Sequence, residues 1–457
     1  MNNSKMNLFV PIEVKHREFF SKLLLSSFAS KAGFRVYVGS KVSIHNLIKK
    51  KHQKGGIFFY KAGLELDTLI NLKKKCDHVV ILDQELGTIK EEYAKTAKGR
   101  IWPGTEKYID RYYVIGKYGY DVSCRVLPEM KDTIRCTGWP RVDLWRKENE
   151  YLFKEETESI LRKYGEYIFF SSDFGYNSEK IISERLEVYK NSKWKSARDK
   201  WSSEAERADK TLKEFNFFKK LLKQYDETKN CPLIIIRPHP NEDINEWLNF
   251  SKKLKNVKVI YEGEITPWIN ASSGLIHRGC TSAIQAHMRG LPVGFFVTKY
   301  SKIYETPYRI SQHLFTLDQL IQFCKTSIYN KDSKLIKFHN EFKEMIYVEN
   351  NKFASELIVE DLLELKTNKE LDYQVNNIEK IKDLLIEIIL NIKFPIQRMI
   401  KNFFKIKINI GITPPSQKVP GGITQKETID FFKRLPNNEN YIVKKIFKDC
   451  VMIERIK

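Results

Sequence analysis

Short apolar runs alternate with amphipathic stretches from the first residues onward. NLFVPIEV (7–14), RVYVGS (35–40), GIFFYK (56–61), HVVILD (78–83), RYYVIG (111–116) and IRCTG (134–138) read as strands. Between them lie segments such as HREFFSKLLLSSFASKAG (16–33), whose apolar residues return at helical spacing and whose Gly33 stands where a helix should stop. Strand and helix taking turns predict βα units around a parallel sheet. Runs that are apolar at almost every position fit strands covered by helices on both faces.

A second series follows the same rhythm: EYIFFSSDFG (166–175), PLIIIRPHP (232–240), NVKVIYEG (256–263), GLIHRG (274–279) and PVGFFV (292–297). The expected fold class is therefore α/β, with two Rossmann-like doubly wound parallel-sheet domains facing a cleft, at 1–150 and 151–345. The charged segment WPRVDLWRKENE (139–150) reads as the linker. The polar helical stretch 178–226 is longer than one crossover needs. It reads as an insertion at the cleft rim, with Lys193, Trp194, Lys195, Arg198, Lys200 and Trp201 available to an acceptor, or equally as a solvated helical hairpin. Beyond about 345 the rhythm fades into a helical, basic appendage over 346–457. Its run 378–410 is apolar on one side and basic on the other, broken by Pro395, and fits either an anionic membrane surface or the globular body.

At 457 residues the chain exceeds what one core organises, and 42% hydrophobic residues exclude a disordered protein. A formal net charge of +22 implies an anionic partner or a Lys-rich compositional bias. No RNP-like aromatic signature or C₂H₂ spacing supports a nucleic-acid partner. The seven cysteines stand singly, with neither a CxxC pair nor metal-ligand spacing, as reduced thiols of a cytoplasmic protein would. No stretch is apolar for the roughly 18 residues of a spanning helix. Walker, HExxH, GxSxG and GxGxxG motifs are missing, which removes the main support for kinase, zinc hydrolase, serine hydrolase and dehydrogenase readings.

Ligands of open parallel sheets bind beyond the carboxyl ends of the strands. RPHP follows the strand LIII there, so Arg237 and His239 emerge from an exit stiffened by Pro238 and Pro240, a geometry suited to a phosphate-linked donor. In HRGCTSAIQAHMRGLPV (277–293), Arg278 and a tight Gly279 turn precede Thr281 and Ser282, which open a helix whose free N–H groups favour an anion. Plain helix capping by Thr281 and Ser282 is the alternative. Glu262 and Trp268 in YEGEITPWIN fit a ribose acceptor and a nucleobase wall, unless Trp268 is core. Asp83 and Glu85 in LDQELG, and Asp173 in SSDFG, are the candidate catalytic carboxylates, as base or nucleophile in glycosyl transfer. Neither a metal nor a cofactor is called for, since the nucleotide sugar is itself a substrate.

The order VPIEVKHREFFSKLLL, LDQELG, TGWPRVDLWR, SSDFG, RPHP, TPWI, HRGCTSAIQAHMRGLPV and VPGGIT resembles the bacterial surface carbohydrate biosynthesis proteins over nearly the whole chain. That resemblance implies a GT-B glycosyltransferase akin to retaining β-Kdo transferases that use CMP-Kdo. It implies that His239, Pro240, Thr281 and Ser282 lie against the donor nucleotide and that Glu85 and Asp173 face the transferred sugar. The resemblance also leads us to expect Asn rather than Asp near position 173, which sets the catalytic assignment of Asp173 apart from the family pattern. The acceptor would be an oligosaccharide or a lipid-linked glycan of capsule or lipopolysaccharide, met at the inner face of the membrane. Other functions on the same frame are a nucleotide-sugar 2-epimerase, a CDP-glycerol-type phosphotransferase, or a non-catalytic assembly protein.

Overall fold

The apolar runs of the first series become β1 (Asn7–Ile12), β2 (Arg35–Ser40), β3 (Ile57–Tyr60), β4 (His78–Leu82), β5 (Arg111–Val114) and β6 (Ile134–Cys136). The second series becomes β7 (Tyr167–Ser171), β8 (Leu233–Arg237), β9 (Val257–Val259), β10 (Gly274–His277) and β11 (Val293–Phe296), joined by the short β12 (Gln312–Leu314). Near the C-terminus lie β13 (Tyr441–Phe447) and β14 (Cys450–Arg455). The computed structural model describes residues 5–50, 55–61, 63–84, 93–192, 198–301, 303–329, 344–349, 351–365, 419–436 and 440–456.

Among the described residues the strands form two sheets, in keeping with the α/β rhythm. The first has the order β13-β14-β2-β1-β3-β4-β5-β6 and the second β12-β11-β10-β7-β8-β9. In the second, every pair is parallel. From β7 the chain winds outward through β8 to β9, then returns to β10 on the opposite side of β7. The winding therefore reverses between β7 and β10, the switch point at which open α/β sheets bind ligands.

The chain divides into one compact unit of Met1–Leu82, Ile101–Tyr113 and Ser355–Lys457, and another of Asp83–Arg100 and Val114–Ala354. These units do not follow the boundary read at 150. The segment read as the linker is packed: Trp139 and Trp145 are buried, with the Arg141 guanidinium 5.5 and 5.6 Å from their rings. The C-terminal part returns to the first unit, where Asp361 accepts from Arg111 Nε at 2.9 Å and from Tyr113 Oη at 2.7 Å.

The appendage expected to be helical is only partly so. Among the described residues of 419–456 there is one helix, Gln425–Lys433, capped by the Thr424 hydroxyl, followed by the β13–β14 hairpin. β14 pairs antiparallel with β2. Gly39 permits this, because a Cβ there would lie 2.6 Å from the Asp449 carbonyl oxygen. The amphipathic run 378–410 lies outside the described residues. At the carboxyl end of β1, the buried Glu18 takes the Lys22 ammonium at 2.7 Å and the Lys61 ammonium at 2.8 Å. Burial alone would raise its pKa, but the two ammonium groups outweigh that and hold it at about 2.

The stretch 178–226 resolves into the helix Glu179–Lys190 and a long helix, Trp201–Glu227, with 193–197 outside the described residues. Phe215, Phe218, Leu222 and Tyr225 recur at helical spacing and are buried in the second core. The long helix is thus the crossover from β7 to β8, not merely a rim insertion. Phe170 meets Phe218 at 4.6 Å and Trp247 meets Phe215 at 4.9 Å, ring to ring. Each such side chain, fully buried, contributes about 1.5–3 kcal/mol.

Candidate functional site

Three loops converge past the carboxyl ends of β7, β8 and β10. After β7 the chain runs Ser172, Asp173, Phe174, Gly175. After β8 comes His239-Pro240-Asn241-Glu242, and after β10 comes Arg278-Gly279-Cys280-Thr281.

Glu242, which the sequence did not single out, ties the first two loops together. Its buried carboxylate accepts from the Ser172 hydroxyl at 2.7 and 2.8 Å, from Phe174 N–H at 2.6 Å and from Trp247 Nε1 at 2.6 Å. Burial pushes its pKa upward, and the neighbouring Asp173 adds to the push against those donors. Arg185 crosses the same loops, donating to the carbonyls of Gly175 and Asn241. The Glu242 N–H donates to the His239 carbonyl, and the His239 Nδ1 accepts from Asn241 N–H at 3.1 Å. A proton therefore sits on the other ring nitrogen when the imidazole is neutral. Pro240 is exposed beside it.

The third loop is fixed from below by a buried imidazole. His277 Nδ1 accepts from Gly279 N–H at 2.7 Å, so its Nε2 carries the hydrogen that meets the Ser311 hydroxyl at 2.8 Å. Ser311 in turn donates to the Pro307 carbonyl. Burial lowers the His277 pKa to about 3, keeping the ring neutral. Gly279 has φ 111°, a left-handed value that favours glycine, and this turns the chain toward the helix Ser282–Met288. Thr281 sits at the helix start without a side-chain cap, and the Ser282 hydroxyl lies 2.6 Å from Cys280 Sγ. Burial, with Asp173 nearby, raises the Cys280 thiol above its ordinary pKa, so it is not an activated nucleophile.

Arg278 joins the loops on either side of the switch point. Its guanidinium donates to the Asp173 carbonyl and to the Glu214 carboxylate, and lies 4.3 Å from the Phe174 ring centroid. The structure thus brings Asp173, Arg278, Thr281 and Ser282 into one neighbourhood, with His239 attached through Glu242.

Arg237, Glu262 and Trp268 form a separate group beside β9. Arg237 donates to the carbonyls of Glu262 at 2.7 Å and Gly263 at 2.6 Å, so it clamps that loop. Trp268 is 4% exposed, tilts against Tyr164 at 5.6 Å and donates Nε1 to the Glu262 carbonyl. It is core, and the wall expected for a nucleobase is not available on it. The Glu262 side chain is exposed. Asp83 is buried and takes Arg100 Nε at 2.9 Å, anchoring the helix Tyr93–Arg100. Glu85 lies outside the described residues. Among the described residues no cluster of His, Cys, Asp and Glu is arranged to hold a metal ion, and no helix is long and apolar enough to cross a membrane.

Neither a family model nor a curated protein matches the sequence. Among solved structures it is similar to UDP-GlcNAc 2-epimerase of Methanocaldococcus jannaschii in complex with UDP-GlcNAc and UDP, at 11% identity over 79% of this chain and 100% of that chain, TM-score 0.49. The corresponding epimerase of Neisseria meningitidis bound to UDP-GlcNAc matches at 13% identity over 79% and 100%, TM-score 0.47. The wall teichoic acid polymerase TagF matches at 11% identity over 79% and 88%, TM-score 0.45.

Proposed function

We propose that this chain is a glycosyltransferase that takes a nucleotide-activated sugar at the carboxyl ends of β7, β8 and β10. The observation that carries this reading is the switch-point arrangement itself, where Arg278 joins the loop after β7 to the loop after β10. Fixed donors aimed at a phosphate stabilise a leaving nucleotide without reorganising during the reaction. In this reading the phosphate rests against Arg278, the helix start at Thr281 and Ser282, and His239. Asp173 faces the transferred sugar, with Glu85 as the second carboxylate. Arg237, whose guanidinium is taken up by the Glu262 and Gly263 carbonyls, holds the loop after β9 and is not assigned to the phosphate. CMP-Kdo is the donor to which the sequence resemblance points, and an oligosaccharide or lipid-linked glycan of a surface polysaccharide is the acceptor. The run 378–410 would hold the protein at an anionic membrane.

A thermal-shift screen against CMP, UDP, GDP and CDP tests the reading. A ligand at 100 times its Kd stabilises the folded state by about 2.7 kcal/mol, a shift of several degrees. One nucleotide should stand out, and four flat responses would contradict the proposal. Incubation with the matching nucleotide sugar then separates transfer, which needs an acceptor, from epimerisation, which does not.

A further inference from the structure

We propose that Glu214 is the residue that positions Arg278 for an anion at the switch point, so that nucleotide affinity depends on a carboxylate that does not touch the nucleotide. The inference rests on the nucleotide reading above and extends it to the long helix Trp201–Glu227, which otherwise looks like core packing.

Glu214 is 2% exposed, on a helix face otherwise lined with aromatic and aliphatic side chains. A carboxylate so placed is costly unless every lone pair is used. Glu214 meets that demand with three partners from two loops. Its Oε2 takes the Arg278 guanidinium, and its Oε1 takes the hydroxyls of Thr298 at 2.9 Å and Ser301 at 2.7 Å, from the loop after β11. That loop braces itself, since Thr298 N–H donates to Ser301 Oγ and Tyr300 N–H to Thr298 Oγ1. One guanidinium therefore registers three loops: the loop after β7 through the Asp173 carbonyl, its own, and the loop after β11 through Glu214. The guanidinium also lies over the Phe174 ring, 4.3 Å from its centroid, a cation–π contact that favours this placement. The buried Arg278 Nε has no hydrogen-bond partner among the described residues.

Charge and geometry predict opposite signs here. By Coulomb's law alone, removing the negative Glu214 strengthens the attraction of Arg278 for a phosphate. If Glu214 acts by aiming the guanidinium, removing it weakens phosphate binding.

The test is the Kd of whichever of CMP, UDP, GDP and CDP most stabilises the wild type, measured for Glu214→Gln at fixed salt beside its melting temperature. The expected result is binding weaker by about tenfold, equivalent to about 1.4 kcal/mol. That loss should largely vanish when Glu214→Gln is made in an Arg278→Lys background, because the two act as a unit. Unchanged or tighter binding by folded Glu214→Gln overturns the inference, as does an equal loss in the Arg278→Lys background. Should Glu214→Gln fail to fold, the double variant Thr298→Val, Ser301→Ala strips the hydroxyls from Oε1 and spares the ion pair. It should bind at least about threefold more weakly, by roughly 0.7 kcal/mol, and wild-type affinity in it overturns the proposal. Failure of all four nucleotides on the wild type would remove the nucleotide reading first, and this inference with it.

Discussion

Burial of a neutral imidazole beneath the Arg278–Ser282 loop makes the site sensitive to acid. The His277 pKa is lowered from 6.5 to about 3 by burial, so the unfolded chain takes up this proton at a higher pH than the folded one. Its contribution to stability is therefore complete above about pH 6.5 and falls as pH drops toward 3, by up to about 1.4 kcal/mol per pH unit. His277→Asn keeps an acceptor for Gly279 N–H but cannot titrate. Urea melts at pH 7, 6, 5 and 4 should show a shallower acid decline for this variant than for the wild type, and equal slopes would contradict the burial argument. At this scale the strand exits RPHP and HRG were legible, because prolines, a glycine turn and cations stand out after apolar runs. Glu242 and Glu214 were not. A carboxylate whose value lies in meeting Ser172, Trp247 or Arg278 is read in sequence as one more charge on a turn or helix. Trp268 was ambiguous for the opposite reason, since an aromatic beside a strand exit packs in a core as readily as it lines a ligand site.

Among the elements, the near-continuous apolar strands were read correctly because burial on both faces removes polar residues from the run. β12 spans only Gln312–Leu314, too short for any period to register. The β13–β14 hairpin escaped because Lys444 and Lys445 interrupt it and the long amphipathic run before it dominates the tail. Pairing of β14 with β2 rests on Gly39, whose missing side chain admits the Asp449 carbonyl. Gly39→Val should destabilise the first unit by about 1–3 kcal/mol and raise amide exchange in β14 selectively. Wild-type protection of Val451 and Ile453 in that variant would contradict the close approach. The long helix also shows how an element serves two ends. Phe215, Phe218 and Leu222 hold it to the sheet, which lets Glu214 be held at a fixed height beside the strand exits.

For the molecule as a whole, two α/β units were legible in the doubled rhythm, but their composition was not. A linker was sought in a charged segment, whereas WPRVDLWR buries both its tryptophans, and the chain beyond 354 returns to the first unit. Long-range return of a chain leaves no local pattern to read. The net charge of +22 draws anions to the whole surface, so a specific phosphate site must be distinguished from general attraction by salt, which screens exposed charges over about 8 Å at physiological strength. Calorimetric titration of CMP, UDP, GDP and CDP into the wild type and into His239→Ala, at 0.15 M and 0.5 M salt (about 8 Å and less of screening length), bears most directly on donor binding at the second sheet. The account predicts one nucleotide that binds the wild type in both salts and binds the equally folded His239→Ala more weakly by about tenfold, or about 1.4 kcal/mol. Equal affinity in the two proteins, or binding that disappears at the higher salt, would contradict it.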